Sequence, residues 1–193
     1  MWGPVVVTVE PAAEPVLTVD LVAHVRGPED GQDDDLLDGY ALAARAHIEQ
    51  MTGTKLINQT VRFKATEWDD MEALPVAPLS AVASVTYTDT DGQSQTLSTN
   101  VYEARLDGLE PAIVLKAEQS WPSIRPGSQV IVTGTAGYGA AGSNVPAAIL
   151  QAIKLIVGDA YLHRESTSDS PAMTAPVVAT VDALLSNFRK HLI

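Results

Sequence analysis

The glycine run from Gly137 to Gly142 is the part of this chain whose residue types and spacing come closest to a known chemistry. It reads G-Y-G-A-A-G, the spacing with which a strand, turn and helix can hold the pyrophosphate of a dinucleotide. The helix that follows is expected to begin only after Ser143–Val145, so its N-terminus is not placed at the phosphate. The acidic residues about twenty positions further on fall inside that helix, not at the end of a parallel strand. The pattern therefore favours glycines that let the chain turn sharply as it leaves a strand.

The sequence holds no other pattern that is specific for catalysis or metal binding. Its histidines lack the spacing that places two imidazoles on one face of a helix; they are His24, His47, His163 and His191. No G-x-S-x-G nucleophile motif occurs, and the chain has no cysteine for a thiolate site or a disulfide. The acidic run E-D-G-Q-D-D-D carries its glycine at the wrong position for a calcium loop. We therefore expect no catalytic residue, no cofactor and no metal ion.

Composition and charge argue against two further classes of function. The 193 residues carry a formal net charge of −12, whereas a general nucleic-acid binder needs a basic surface to neutralise phosphates. The same charge disfavours binding to anionic membranes. No stretch approaches the roughly 20 apolar residues that span a bilayer, and the N-terminus lacks the basic start of a secretory signal. The simplest expectation is a soluble protein made in the cytoplasm, with a hydrophobic content of 46% that can form a packed core.

Helical periodicity appears at both ends of the chain. The strongest helix is predicted over 144–165, with Asn144 as its cap and Pro146 in its first turn. Two more are predicted over 18–26, with Thr18 as the cap, and from Asp33–Asp35 to about Thr52, closed by Gly53. A last helix is expected to start at Thr180 or Asp182, after a mobile loop over 166–180.

The middle of the chain changes to short β-rich runs separated by turn residues. The pair Asp91-Gly92 predicts a two-residue turn between strands at 82–88 and 94–97. Strands that follow one another without intervening helices must pair antiparallel. Trp121 is interpreted as a packing anchor over this sheet, and a ligand platform is the less favoured alternative.

These periodicities predict an α+β fold in which an antiparallel β subdomain is inserted into a helical bundle. The expected bounds are 17–54 and 144–193 for the bundle and 55–143 for the β subdomain. Residues 1–16 are expected to form an extended N-terminal arm, because β-branched valines favour extended backbone there and Pro4, Pro11 and Pro15 discourage a helix. The arm is either a strand that joins the sheet of another subunit or a loose terminus, and the sequence does not separate the two.

The order of several short segments resembles the head–tail connector, or adaptor, proteins of tailed bacteriophages and gene transfer agents. The segments are E-x-x-T-G at 49–53, L-P-x-x-P-L-x-x-V at 74–82, T-A-G-Y-G followed by V-P and A-I at 135–149, and Y-L-H-R-E-S at 161–166. Each is weak alone, and their order and spacing together carry the resemblance. It covers nearly the whole chain from about Leu17.

The resemblance implies a structural role in the virion without catalytic residues. Proteins of this family form a ring, usually of twelve subunits, beneath the portal protein in the neck between head and tail. The ring extends the channel through which double-stranded DNA passes without specific binding, and it offers a platform to the stopper and tail proteins. The family's helices form a bundle with the β region as an insertion, and the C-terminal segment commonly reaches into the portal. Assembly would take place in the host cytoplasm.

The C-terminal helix is therefore our candidate for binding the portal. It combines a compact apolar stripe with basic residues in an acidic protein, and its apolar face needs a partner groove. The candidate residues are Val181, Leu184, Leu185, Phe188, Arg189 and Lys190. The alternative is that this helix packs on its own bundle.

Two other functions remain open on the sequence alone. One is a β-rich ligand-binding module, which would show a concave aromatic site near Trp68, Trp121 or Tyr138. The other, less favoured, is a cryptic nucleotide-dependent enzyme that uses the glycine run.

Overall fold

The computed structural model describes residues 1–163 and 173–190. These residues form two compact units, each assembled from separate parts of the chain. The β unit contains Met1–Ala12, Gly53–Tyr138 and the chain end from Lys190, of which Lys190 is described. The helical unit contains Ala13–Thr52 and Gly139–Arg189, apart from the residues between 163 and 173. The predicted α+β fold, with a β region inserted between helices, is confirmed.

The helical unit is built on a central helix that contacts the others. Its described helices are α1 (Thr18–Val25), α2 (Asp34–Thr52), α3 (Ala147–Leu162) and α4 (Ala175–Leu185). Helix α3 contacts α1, α2 and α4, and it does so through the apolar stripe visible in its sequence, where Ile149, Ile153 and Val157 are fully buried. Leu21 of α1, Leu37 and Ile48 of α2 are buried as well.

The helix starts differ from those expected, because the proposed cap residues are used elsewhere. Thr18 is the first residue of α1, and its hydroxyl donates to the Asp38 carboxylate at 2.6 Å instead of capping the helix. Asn144 closes a separate 3₁₀ turn over Gly142–Asn144, where its side-chain oxygen accepts from the Ala141 N–H at 3.3 Å. Pro146 is consequently the N-cap of α3 and lies outside its first turn.

Helix α4 begins earlier than Thr180 or Asp182. Thr174 is its N-cap, and a proline falls at the start of the helix, where a missing N–H costs nothing. The predicted loop over 166–180 is therefore wrong for 175–180, which are helical. Residues 166–172 of that loop lie outside the described residues.

The β unit is an antiparallel sheet with a small accessory hairpin. Its described strands are β1 (Val6–Val9), β2 (Gln59–Ala65), β3 (Leu79–Thr88), β4 (Ser94–Thr96), β5 (Tyr102–Arg105), β6 (Ala112–Leu115) and β7 (Val130–Ala136). The five-stranded sheet has the order β1-β2-β7-β3-β4, and β5 pairs with β6. Every pair of these strands is antiparallel, as the sequence predicted. Phe63 of β2, Val85 of β3 and Val132 of β7 are buried in one core.

The turn between β3 and β4 is longer than the predicted two residues. The Asp89 N–H donates to the Gln93 carbonyl oxygen at 2.9 Å, so three residues separate this pair. The Asp89 carboxylate accepts from the N–H groups of Asp91 at 3.0 Å and Gln93 at 2.8 Å. Asp89 therefore organises the loop, and Gly92 supplies the left-handed conformation at φ 83°.

The first residues form a strand in the sheet of their own chain and are not a loose terminus; the alternative of a strand that joins another subunit's sheet stays a prediction. Strand β1 pairs antiparallel with β2 of its own sheet. The Met1 ammonium donates to the Asp70 carboxylate at 2.6 and 2.7 Å. The Trp2 indole N–H donates to the Ala73 carbonyl oxygen at 2.7 Å, and its ring meets Phe63 edge-on at 5.2 Å. The segment is thus an edge strand of its own β unit up to Ala12.

Candidate functional site

The glycine run is shaped by close backbone packing. A Cβ at Gly137 would lie 2.5 Å from the backbone nitrogen of Asn58, and φ there is 142°. A Cβ at Gly142 would overlap the carbonyl oxygen of Pro15. The 3₁₀ turn and Pro146 separate the last glycine from the start of α3 at Ala147. These glycines serve the path of the chain, since they allow approaches that any side chain would block.

The acidic residues around the start of α2 have structural roles. Asp34 and Asp35 occupy the first turn of α2, where the helix dipole favours negative charge. Asp33 accepts from the Tyr161 hydroxyl at 2.5 Å. Within residues 1–163 and 173–190, no group of three or more acidic or histidine side chains could hold a metal ion. His191 lies outside the described residues.

The aromatic residues of the β unit pack on one another. The Trp68 and Trp121 rings are stacked with centroids 4.8 Å apart, and Tyr87 meets Trp68 edge-on at 5.5 Å. The Trp68 indole N–H donates to the Pro122 carbonyl oxygen at 2.9 Å. Trp121 therefore acts as the packing anchor that the sequence predicted. Tyr138 is separate, and burial raises the pKa of its hydroxyl.

The proposed portal-binding residues divide into two groups. Val181 and Leu185 are buried within the protein, because α4 packs on α3. Leu184 and Phe188 are only partly buried, so part of their apolar surface can reach a partner. In contrast to the expected continuous stripe, half of its apolar residues already belong to the fold.

The basic residues at the end of this segment are partly engaged. The Arg189 guanidinium donates to the Asp182 carboxylate at 2.7 Å. Burial lowers the pKa of the Lys190 amine to about 8, and the nearby Glu110 carboxylate opposes that shift. The Lys190 ammonium nitrogen is buried without a hydrogen-bond partner among the described residues. The positive charge expected for docking is thus weakened at both positions.

Asp159 fixes the start of α4 to α3. Its carboxylate accepts from the Thr174 backbone N–H at 2.9 Å and from the Thr174 hydroxyl at 3.0 Å. The side chain is buried, with 8% exposure, and lies 3.4 Å from Nδ1 of His163. A carboxylate at the N-terminus of a helix is also favoured by the helix dipole.

The sequence analysis missed the role of Asp159 because this residue falls outside the apolar stripe of α3. The available signal was Thr174 followed by Ala-Pro, which is typical of a helix start. A helix that begins after Thr174 has free N–H groups in its first turn, and these need a hydrogen-bond acceptor nearby.

No protein-family model matches the sequence, and no curated protein sequence matches it. Solved structures do. A chain in the neck of an empty gene transfer agent particle, computed with C6 symmetry, superposes with a TM-score of 0.78 at 25% identity, over 99% of this chain and 97% of that one. A chain in the neck of the native particle, computed with C12 symmetry, gives 0.71 at 27% identity over 97% of both chains.

The chain is similar over its whole length to a neck protein of gene transfer agents. A chain of the native gene transfer agent virion shares the fold, with a TM-score of 0.77 at 24% identity over 99% of this chain and 97% of that one. The resemblance to head–tail connector proteins, first suggested by short sequence segments, is therefore confirmed by the structural neighbours. In the described part of the chain, no helix has the length and apolar character needed to cross a membrane.

Proposed function

We propose that this protein is a structural component of the neck of a virion, in a gene transfer agent or a tailed phage. The observation that carries the proposal is the likeness to neck chains over 97% or more of both chains, at up to 27% identity. Because the likeness covers both the β unit and the helical unit, we expect the whole chain to share the role of the neck chains. The more specific role is that of head–tail adaptor, a ring beneath the portal that extends the DNA channel and receives the stopper or tail proteins.

The proposed ring contains copies of this chain, with twelve as the expected number. The support is the symmetry of the similar necks, computed with C6 and C12 symmetry. The charge suits a channel wall. A subunit with a net charge of −12 would not grip phosphates, so DNA could pass without specific binding. No enzymatic step is needed for such a role.

The proposed portal contact involves the C-terminal segment from Val181 to Lys190. In the fold, Leu184 and Phe188 offer the apolar surface for this contact, because Val181 and Leu185 are buried. Of the two proposed basic residues, Arg189 would add positive charge at the edge, although it also pairs with Asp182, whereas the Lys190 nitrogen is buried. Direct docking by Val181 and Leu185 would require α4 to leave α3. We also propose that the two units act as two domains of the adaptor, with bounds close to the expected 17–54 with 144–193 and 55–143, and with the N-terminal residues up to Ala12 belonging to the β unit.

The location is tested by labelling the chain inside intact particles. Gly108 is a suitable insertion point for a short epitope, since it lies in an exposed turn and nothing lies within 4 Å of where its Cβ would be. Electron microscopy with an antibody against the epitope should place the label at the neck. Deleting the gene should yield filled heads without attached tails. A label on the capsid or tail tip, or normal tailed particles without the chain, would refute the proposal.

The portal contact is tested with surface substitutions, because deletion of residues 181–193 would also remove buried core residues. Leu184→Asp and Phe188→Asp should reduce binding to purified portal protein while the circular dichroism spectrum is retained. Leu115→Asp is a matched control, because Leu115 is an exposed leucine that lies outside the proposed segment. Unchanged portal binding in both the Leu184→Asp and the Phe188→Asp variants would rule out this segment as the contact.

The two other functions have no observation that favours them. The stacked Trp68 and Trp121 rings pack against each other, and the glycine run lies against backbone atoms. Titration calorimetry with NAD, ATP, zinc and calcium should show no specific heat of binding. A micromolar affinity for any of these would revive the ligand-binding or enzymatic alternative.

A further inference from the structure

Two surfaces in the described part of the helical unit carry exposed leucines. The first surface, which we call the α1–α2 groove, is lined by Val16, Leu17, Gly39 and Leu42 and has a volume of about 450 Å³. Leu17 is 63% exposed and Leu42 is 50% exposed. Gly39 leaves the floor open, because nothing lies within 4 Å of where its Cβ would be.

The second surface, which we call the α3 end, projects outward. Leu162 is the last residue of α3 and is 77% exposed. It borders a smaller hollow of about 280 Å³ with Leu155, Gly158 and Val177. Exposed leucines grouped in this way mark surfaces that become covered by a partner.

A closed ring of identical subunits places a specific demand on each copy. Neighbours in a cyclic ring larger than a dimer meet head to tail, so each copy needs two different and complementary surfaces. We propose that in the ring the α3 end of one copy packs into the α1–α2 groove of the next copy, with Leu162 between Leu17 and Leu42. This inference rests on the proposed function, since it names the contact by which the adaptor ring would close.

Shape and charge both support a second copy of this chain as the occupant. An exposed leucine at a helix end is a projection, and a groove bordered by two leucines around a glycine is a receptor for it. The α1–α2 groove is also lined by Glu14 and Asp38. Arg45 donates to Glu14 at 2.8 Å and Asp38 accepts from Thr18, which leaves the groove with a negative charge at Asp38.

The hollow beside the α3 end has basic side chains on its rim, opposite in charge to Asp38 of the α1–α2 groove. His24 and Arg26 line it, and its acidic residue, Asp159, is already bound by Thr174. Arg26 also borders a neighbouring groove with Glu29 and Asp34, so the apolar fit carries more weight than the charge. An acidic groove facing a basic rim would favour head-to-tail contact over contact between like surfaces.

The absence of cysteine from the sequence allows a direct test by site-specific cross-linking. Leu42→Cys and Leu162→Cys are made singly and together, and the full-length chain is treated with a short bismaleimide, both purified and in intact particles. The double variant should give a ladder of oligomers. A mixture of the two single variants should stop at a dimer, and each single variant alone should give several-fold less product.

Leu115→Cys serves as the matched control, because Leu115 is an exposed leucine of the β unit. Paired with Leu162→Cys, it should give no more product than a single variant. A double variant that stays monomeric under all conditions would overturn the inference. So would efficient cross-linking of Leu42→Cys to itself, or equal product with Leu115→Cys.

The particle experiment separates failure of this contact from failure of the proposed function. A chain that is present in the neck but shows no link between positions 42 and 162 refutes the contact and leaves the adaptor role standing. A chain that is absent from the particles refutes the adaptor role. Ladder formation by the purified chain would then still establish self-association through these surfaces.

Discussion

Asp159 is the residue whose replacement should most directly separate α4 from α3. Its buried carboxylate accepts two hydrogen bonds from Thr174, the N-cap of α4. Asp159→Ala removes both acceptors and leaves the Thr174 N–H and hydroxyl without their partner. The expected result is a helical unit that is less stable, with α4 released first.

The size of the effect follows from these contacts. A hydrogen bond to a charged group contributes about 1.5–3 kcal/mol, and the two share one carboxylate and are not additive. The negative charge at the start of α4 adds about 0.3–1 kcal/mol. We therefore expect Asp159→Ala to lower the free energy of unfolding of the helical unit by about 2–4 kcal/mol. With a urea dependence of about 2 kcal/mol/M, the midpoint should fall by about 1–2 M.

The position of the tryptophans provides an assay for each unit. All of them, Trp2, Trp68 and Trp121, lie in the β unit, whereas the helices α1–α4 lie in the helical unit. Far-ultraviolet circular dichroism at 222 nm therefore follows the helical unit, and tryptophan fluorescence follows the β unit. Asp159→Ala should shift the first transition more than the second.

Asp182→Asn is the matched control, since Asp182 is also an aspartate that carries a hydrogen-bonded partner. Its ion pair with Arg189 lies at the surface, with side chains 48% and 38% exposed, and surface pairs contribute about 0–1 kcal/mol. A double-mutant cycle with Thr174→Val should give a coupling of about 1 kcal/mol to Asp159. An Asp159→Ala midpoint equal to that of the wild type, or a shift confined to fluorescence, would refute the reasoning.

Four further substitutions test other contacts. Asp70→Asn should destabilise the β unit by about 1 kcal/mol. Burial raises the pKa of the Asp70 carboxyl, but hydrogen bonds from Met1 and the backbone outweigh burial and lower the pKa below 3.8. The stabilisation by this carboxylate is therefore present above pH 3.8 and is lost as the pH falls further, and this pH dependence should be missing from the fluorescence profile of the variant. The Lys190 amine has a pKa of about 8 in the native protein, so between pH 8 and about 10.5 it binds fewer protons than in the unfolded chain, and wild-type stability rises with pH. Lys190→Met should remove this rise, and equal slopes of stability against pH in the variant and the wild type would contradict the prediction. Gly142→Ala should lower the free energy of unfolding, followed by circular dichroism, by about 1–3 kcal/mol, because the new Cβ meets Pro15. Gly39→Ala lies within α2 and has open space for its Cβ, so it should raise the free energy of unfolding by up to about 1 kcal/mol. Similar effects of the two substitutions would refute the close-approach argument.

The sequence was sufficient for the elements whose pattern is set by burial alone. The stripe of Ile149, Ile153 and Val157 must face a core, so α3 could be located from spacing. The alternating burial of β7 reflects a strand that is covered on one face. Trp121 could be assigned to packing because a large apolar ring is most stable when covered.

The sequence was insufficient where a polar side chain had several possible partners. Thr18 and Asn144 are both good caps, but each bonds elsewhere: the Thr18 hydroxyl donates to the Asp38 carboxylate, and the Asn144 side-chain oxygen accepts from the Ala141 N–H. The pairing of β1 depends on Trp2 and Met1 reaching Ala73 and Asp70, contacts about seventy residues apart that no local pattern reveals. The candidate docking segment stays a prediction, and spacing alone could not show that Val181 and Leu185 of its stripe are covered within the chain itself.

The fold also limits how α4 could bind a portal. Release of α4 would expose Val181 and Leu185, at about 1.5–3 kcal/mol each, and would break the bonds between Asp159 and Thr174. A released helix would have to recover that free energy in every subunit before it gained any affinity. A helix that stays on α3 loses nothing and still presents Leu184 and Phe188. Docking with α4 in place is therefore the lower-energy route, and it makes the partly exposed face of α4, rather than its whole stripe, the surface that a portal would recognise.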